Sequence, residues 1–192
     1  MERSAVYRRA LAPIMTFIGL LGVSAGVFGW AARIGSRQGF IVYWAGVGLT
    51  ALGGSFLLMR RQALKESEPF WSPPTRRVAQ ALLPALFVGS VAGLLALVCP
   101  TWDFLAVGSL PPFWMLLYGC ALTAAGFFMA RGIKLLGWLF LLSGCGLMVM
   151  RCQGLGSGPV MNGHWVMGGV FGGVHLAYGV YLYFTEQRRN ET

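Results

Sequence analysis

From Leu11 to Ala32 the chain carries no ionisable side chain, and apolar stretches of similar length recur to its end. Such blocks leave no polar face for water, and about 20 apolar residues at 1.5 Å rise match hydrocarbon about 30 Å thick. The pattern predicts spans near Leu11 to Ala32, Phe40 to Met59, Val78 to Val98, Pro112 to Ala130, Leu135 to Met150 and Trp165 to Phe184. Period-2 alternation is absent, which argues against a β-barrel. The expected fold class is therefore all-α: a polytopic membrane helical bundle of about six transmembrane helices, one integral membrane domain over residues 1–192. The fifth span is the shortest, and it reaches full length only if Gly132 and Ile133 join it while Lys134 snorkels to the headgroups.

The net charge of +9 follows from topology and not from nucleic-acid binding, which would need a basic soluble domain. Arg3, Arg8, Arg9, Arg60, Arg61, Lys65, Arg76, Arg77, Arg131, Lys134, Arg188 and Arg189 fall on one side of the spans, and Arg33, Arg37 and Arg151 on the other. By the positive-inside rule the first group is cytoplasmic, which puts both termini inside. Trp30, Trp44, Trp102, Trp114 and Trp165 lie near the opposite boundary, where indole rings favour the interface. The expected location is a bacterial cytoplasmic (inner) membrane. The basic leader and Ala31-Ala32 imitate a secretory signal, but the apolar run is longer than a signal core, so the segment is read as a retained helix.

Spans one and three both open on an arginine pair (Arg8-Arg9, Arg76-Arg77) and carry GxxxG at matching distance, Gly22 to Gly26 and Gly89 to Gly93. Leu49-Thr50-Ala51-Leu52-Gly53 similarly parallels Leu122-Thr123-Ala124-Ala125-Gly126. This weak repeat suggests three parallel helical hairpins. Glycines three or four residues apart, as in Gly19, Gly22, Gly26 and Gly29, or Gly168, Gly169, Gly172 and Gly173, make smooth faces that let helix backbones approach in lipid. Most are expected to pack within the bundle, with homo-oligomer contact as the sharper use.

Candidate chemistry is sparse. His175 is read as the one ionisable residue deep in a span, where such groups are costly and mark ligand or proton sites. The plainer expectation is a neutral imidazole bonded to a helix carbonyl or to Tyr178. Ser143 and His175 lie at compatible depths for a rhomboid-like serine protease, about 10 and 15 Å below the outer surface. That motif needs glycine where Leu141 stands, and its oxyanion donors have no counterpart, so an intramembrane serine hydrolase is a remote alternative. Cys120 and Cys145 sit inside spans, whereas Cys99 and Cys152 fall at outer ends and could form a disulfide if the outside is oxidising. No CxxC or Cys/His cluster supports a metal, and no cofactor is expected.

The loop from Arg60 to Arg77 is the one substantial cytoplasmic feature. Pro69 and Pro73-Pro74 interrupt helix and present Phe70 and Trp71 among charges, close to Arg76 and Arg77. Such a segment either settles on lipid phosphates or docks a cytosolic protein. No carboxylate lies within the spans and no nucleotide motif is present, so ion-coupled or self-driven transport lacks its usual groups. The preferred reading is a non-enzymatic sensor or accessory subunit docking a cytosolic partner through loop 60–77. The alternative is a membrane-embedded small-molecule binding or transport component. In size and helix count the chain is similar to the substrate-binding subunits of energy-coupling-factor vitamin transporters, a likeness that implies capture of a small ligand with energy supplied by a separate ATPase.

Overall fold

The computed structural model describes residues 3–65, 67, 71–99, 108–129, 131–155 and 162–190. Its elements are α1 (Arg3–Ala31), α2 (Arg37–Lys65), α3 (Pro73–Val98), α4 (Leu110–Ala125) and α5 (Arg131–Cys152), followed by one continuous rod. That rod consists of α6 (Gly163–Val166), a π-helical segment (Met167–Val174) and α7 (His175–Asn190). No strand occurs among the described residues, and five of the helices are long and apolar enough to cross a membrane. Large apolar side chains such as Leu49, Phe87, Leu135 and Leu142 point outward and are exposed. With an apolar exterior and helices of this length, the protein is an integral membrane helical bundle.

The short helix is the fourth and not the fifth. α5 extends back to Arg131, while α4 has 16 residues, about 24 Å at helical rise. Prolines fill its first turn at Pro111 and Pro112, where a missing N–H costs nothing, and it ends at Gly126. α4 is also densely enclosed, burying Leu110, Met115, Gly119, Ala121, Leu122 and Ala125. It packs most extensively on α5. A Cβ at Gly119 would come within 2.9 Å of Gly137 O, and one at Gly137 within 2.9 Å of Gly119 O. Two backbones in contact explain why this seam needs glycine on both sides.

The second close seam joins the first helix to the last. A Cβ at Gly22 would fall 2.7 Å from Gly172 Cα, and one at Gly26 2.7 Å from Gly168 Cα. Gly19 meets Leu176 in the same way, and Gly179 meets Thr16. Contacts that rise in number along one helix as they fall along the other make the pair antiparallel, so the start of α1 and the end of α7 lie at the same end of the bundle. The pairs α1–α2 and α3–α4 pack as neighbours, but the last rod lays its backbone against α1 and meets α5 through side chains. Its glycine face is shaped for the face of α1, and that complementarity outweighs proximity along the chain.

α2 and α3 are peripheral, with only 11% and 17% of their spanning windows buried. The main core joins Leu11 and Met15 of α1, Met115 and Leu122 of α4, Ile133, Leu136 and Phe140 of α5, and Leu182 of α7. A second cluster near the opposite end unites Ala25, Phe40, Trp44 and Met167.

Candidate functional site

Two histidines flank the π segment, and both are buried. His175 is 1% exposed. Its Nδ1–H donates to Phe171 O at 2.5 Å, which leaves Nε2 to accept the hydroxyl proton of Tyr118 at 2.9 Å. A carbonyl can only accept, so Nδ1 carries a proton, and in the neutral ring Nε2 is then the acceptor for Tyr118. The ring lies 5.3 Å from Phe140 and 5.5 Å from Tyr118, with Phe171 tilted against Phe140 at 5.0 Å to close the cluster. The hydroxyl that reaches His175 is therefore that of Tyr118, from α4. Tyr178 is turned towards Gly132 of α5, and its Oη is buried without a hydrogen-bond partner among the described residues.

The bond to Phe171 has a local cause. Where a helix returns from i−5 to i−4 pairing, one carbonyl near the junction loses its backbone donor, and a buried orphan carbonyl is costly in lipid. His175 stands at that junction and supplies two donors, its own N–H to Gly172 O and its ring N–H to Phe171 O. The imidazole thus closes the π segment and ties it to α4.

His164 is the counterpart that sequence reasoning missed. It is 3% exposed and lies within a box of Phe40, Tyr43 and Trp44, at 5.0, 5.7 and 6.1 Å between ring centroids. Trp44 Nε1–H donates to His164 Nδ1 at 3.1 Å, so Nε2–H donates to Ile34 O at 2.8 Å. Asn162 caps the start of the rod by accepting from His164 N at 2.9 Å. This ring pins the rod to α2 and to the α1–α2 turn. The available signal was a histidine two residues after a helix-capping asparagine, in a chain with aromatic residues concentrated at that boundary.

The two rings face different neighbours although they sit eleven positions apart on one rod. In a straight α-helix eleven residues return to within about 20° of the starting face. The extra residue wound into the π segment sets His175 back by about 100°, towards α4 and α5.

Ser143 is half-buried on α5 and is not among the partners of His175, whose ring nitrogens are both engaged. Ser143 and His175 are therefore not paired as nucleophile and base. Cys99 and Cys152 are free thiols, the first half-buried and the second exposed, and Cys120 and Cys145 are exposed and free. Among the described residues no group of three or more His, Cys, Asp or Glu side chains could hold a metal ion.

At the α2–α3 turn, Arg60, Arg61, Lys65, Arg76 and Arg77 are exposed and Trp71 is 61% exposed. Ser72 and Thr75 share a hydroxyl hydrogen bond of 3.0 Å, with Thr75 buried at the start of α3. Phe70 lies outside the described residues. No family model, no curated protein and no solved structure matches this chain, so the reading of its function rests on its own geometry.

Proposed function

We propose that this integral membrane protein is a non-enzymatic sensor or accessory subunit that docks a cytosolic partner through the α2–α3 turn. The observation that carries the reading is an exposed Trp71 beside five exposed cations. α2 has 29 residues, about 44 Å of helix, and so outruns hydrocarbon about 30 Å thick. Its surplus turns hold Arg60, Arg61 and Lys65 clear of the bundle, while Arg76 and Arg77 occupy the first turns of α3. A large exposed aromatic in a turn that also carries arginines is suited to a protein hot spot. On the positive-inside reading this turn faces the cytosol.

A ligand or transport site at His175 has weaker support, because a ligand would have to displace both Tyr118 and Phe171 O from a ring with no exposed edge. The test is a photo-crosslinking residue placed at position 67, an exposed site in the same turn that leaves Trp71 intact, in native membranes. A soluble protein captured there, and lost in a Phe70→Ala/Arg76→Ala background, is the expected result. Capture of phospholipid alone would overturn docking and make the turn a membrane anchor.

A further inference from the structure

The last turns of α2 carry a large apolar side chain that the bundle leaves uncovered. Leu64 is 70% exposed. Counted from Phe40, about 20 residues at 1.5 Å rise cross hydrocarbon about 30 Å thick by Met59, so Leu64 stands about 7.5 Å beyond that boundary. Arg60 and Arg61 precede it by four and three residues and so flank it on the same side of the helix, and Lys65 follows it. All three are exposed, whereas Gln62 and Ala63 are half-buried.

Phospholipid headgroups at this height offer phosphate to the cations but no apolar surface to the leucine. The occupant that satisfies both must bring an apolar stripe and carboxylates together. Residues 60–77 carry five Lys and Arg against Glu66 and Glu68, a net charge of +3, with both glutamates outside the described residues. A second helix laid beside α2 repeats the required pattern, because apolar residues three and four apart form one line with acidic residues on either flank. Trp71, with Arg76 and Arg77 of α3, extends the same chemistry across the turn.

We propose that the partner's docking element is an acidic amphipathic helix, which seats its apolar stripe on Leu64 and Trp71 and its carboxylates on the five cations of the turn. The proposal rests on the docking reading above and names the chemistry of what docks. Its two parts do different work. Carboxylates are drawn towards the cations over a screening length of about 8 Å, which speeds encounter and weakens with salt. Leu64 and Trp71 supply contact that salt does not screen, and so set how long the complex lasts.

The probe is a synthetic peptide of about 18 residues, with leucine at every third or fourth position and glutamate on both flanks. It is offered to the full-length protein in phosphatidylcholine nanodiscs and read by fluorescence anisotropy, with empty nanodiscs as the background. It should bind, and about tenfold more weakly to Leu64→Ser, a change at an exposed site that leaves the bundle intact. The same residues in scrambled order, which keep the charge and lose the stripe, should also bind about tenfold more weakly. A lysine-flanked version should ignore the wild type and bind Arg61→Glu/Lys65→Glu. Equal binding of ordered and scrambled peptides, an unaltered affinity for Leu64→Ser, or no binding at all would overturn the proposal. Photo-capture of a soluble protein from position 67 that persists in both Leu64→Ser and Arg61→Glu/Lys65→Glu would leave docking standing while rejecting the acidic helix, and capture of phospholipid alone would remove both.

Discussion

Gly26→Ala tests the seam that closes the bundle. The new Cβ would lie 2.7 Å from Gly168 Cα and 2.9 Å from His164 O, both backbone atoms that cannot rotate away. Ordinary contact between carbons begins about 3.5 Å apart, so the two helices must separate by about 0.8 Å. A gap of that size forfeits a quarter to a half of each dispersion contact along the seam, and overpacking of this kind costs about 1–3 kcal/mol. Alanine also recovers about 0.8–1 kcal/mol of helix propensity, which reduces the net loss to about 0–2 kcal/mol. Gly46→Ala on α2 is the control, because its Cβ would meet nothing within 4 Å and only the propensity gain remains. Reversible unfolding by steric trapping in bicelles should therefore place Gly26→Ala below wild type and Gly46→Ala at or slightly above it. Equal effects at the two sites would refute close packing of α1 against the last rod.

Tyr118→Phe keeps the ring stacking but removes the donor to His175 Nε2, and should cost about 0.6–1.7 kcal/mol, the range for hydrogen bonds between membrane helices. An unchanged stability in the same assay would mean that the α4 link to His175 is not formed. Tyr178→Phe should instead leave stability unchanged or raise it by about 1 kcal/mol, since its hydroxyl is buried with no partner among the described residues; a loss of that size would reveal a bond to Tyr178.

The class of fold was legible because hydrocarbon imposes a length and an apolar composition that no other arrangement of this chain satisfies. The glycine stripe of α1 was equally plain, and its place inside the bundle follows from lipid offering no drive except close contact. Which helix would meet it was not legible, because Gly46 and Gly53 of α2 have the same spacing habits yet face open space. His175 could be picked out by its cost in a span, but its partner Tyr118 could not. A tyrosine in an apolar run gives no sign of which helix it faces until packing has fixed the rotation of both. The π segment was hidden for a related reason: one surplus residue leaves no mark on hydropathy. His164 was overlooked since a histidine near a span boundary reads as solvated, whereas Trp44, Ile34 and Asn162 enclose it.

The antiparallel contact between α1 and the last rod also governs how the molecule is made. Gly26 emerges from the ribosome 142 residues before Gly168. At about 5–20 residues per second that separation is roughly 7–28 s, during which the smooth side of α1 has no mate in the bilayer. Hydrophobic insertion of the earlier helices can proceed meanwhile, and α4 can settle on α5, but the tightest long-range seam waits for the final segment. A chain stopped before Gly163 would enter the membrane and never close, leaving α1 exposed to whatever quality-control protease or neighbouring helix reads an unpaired glycine face.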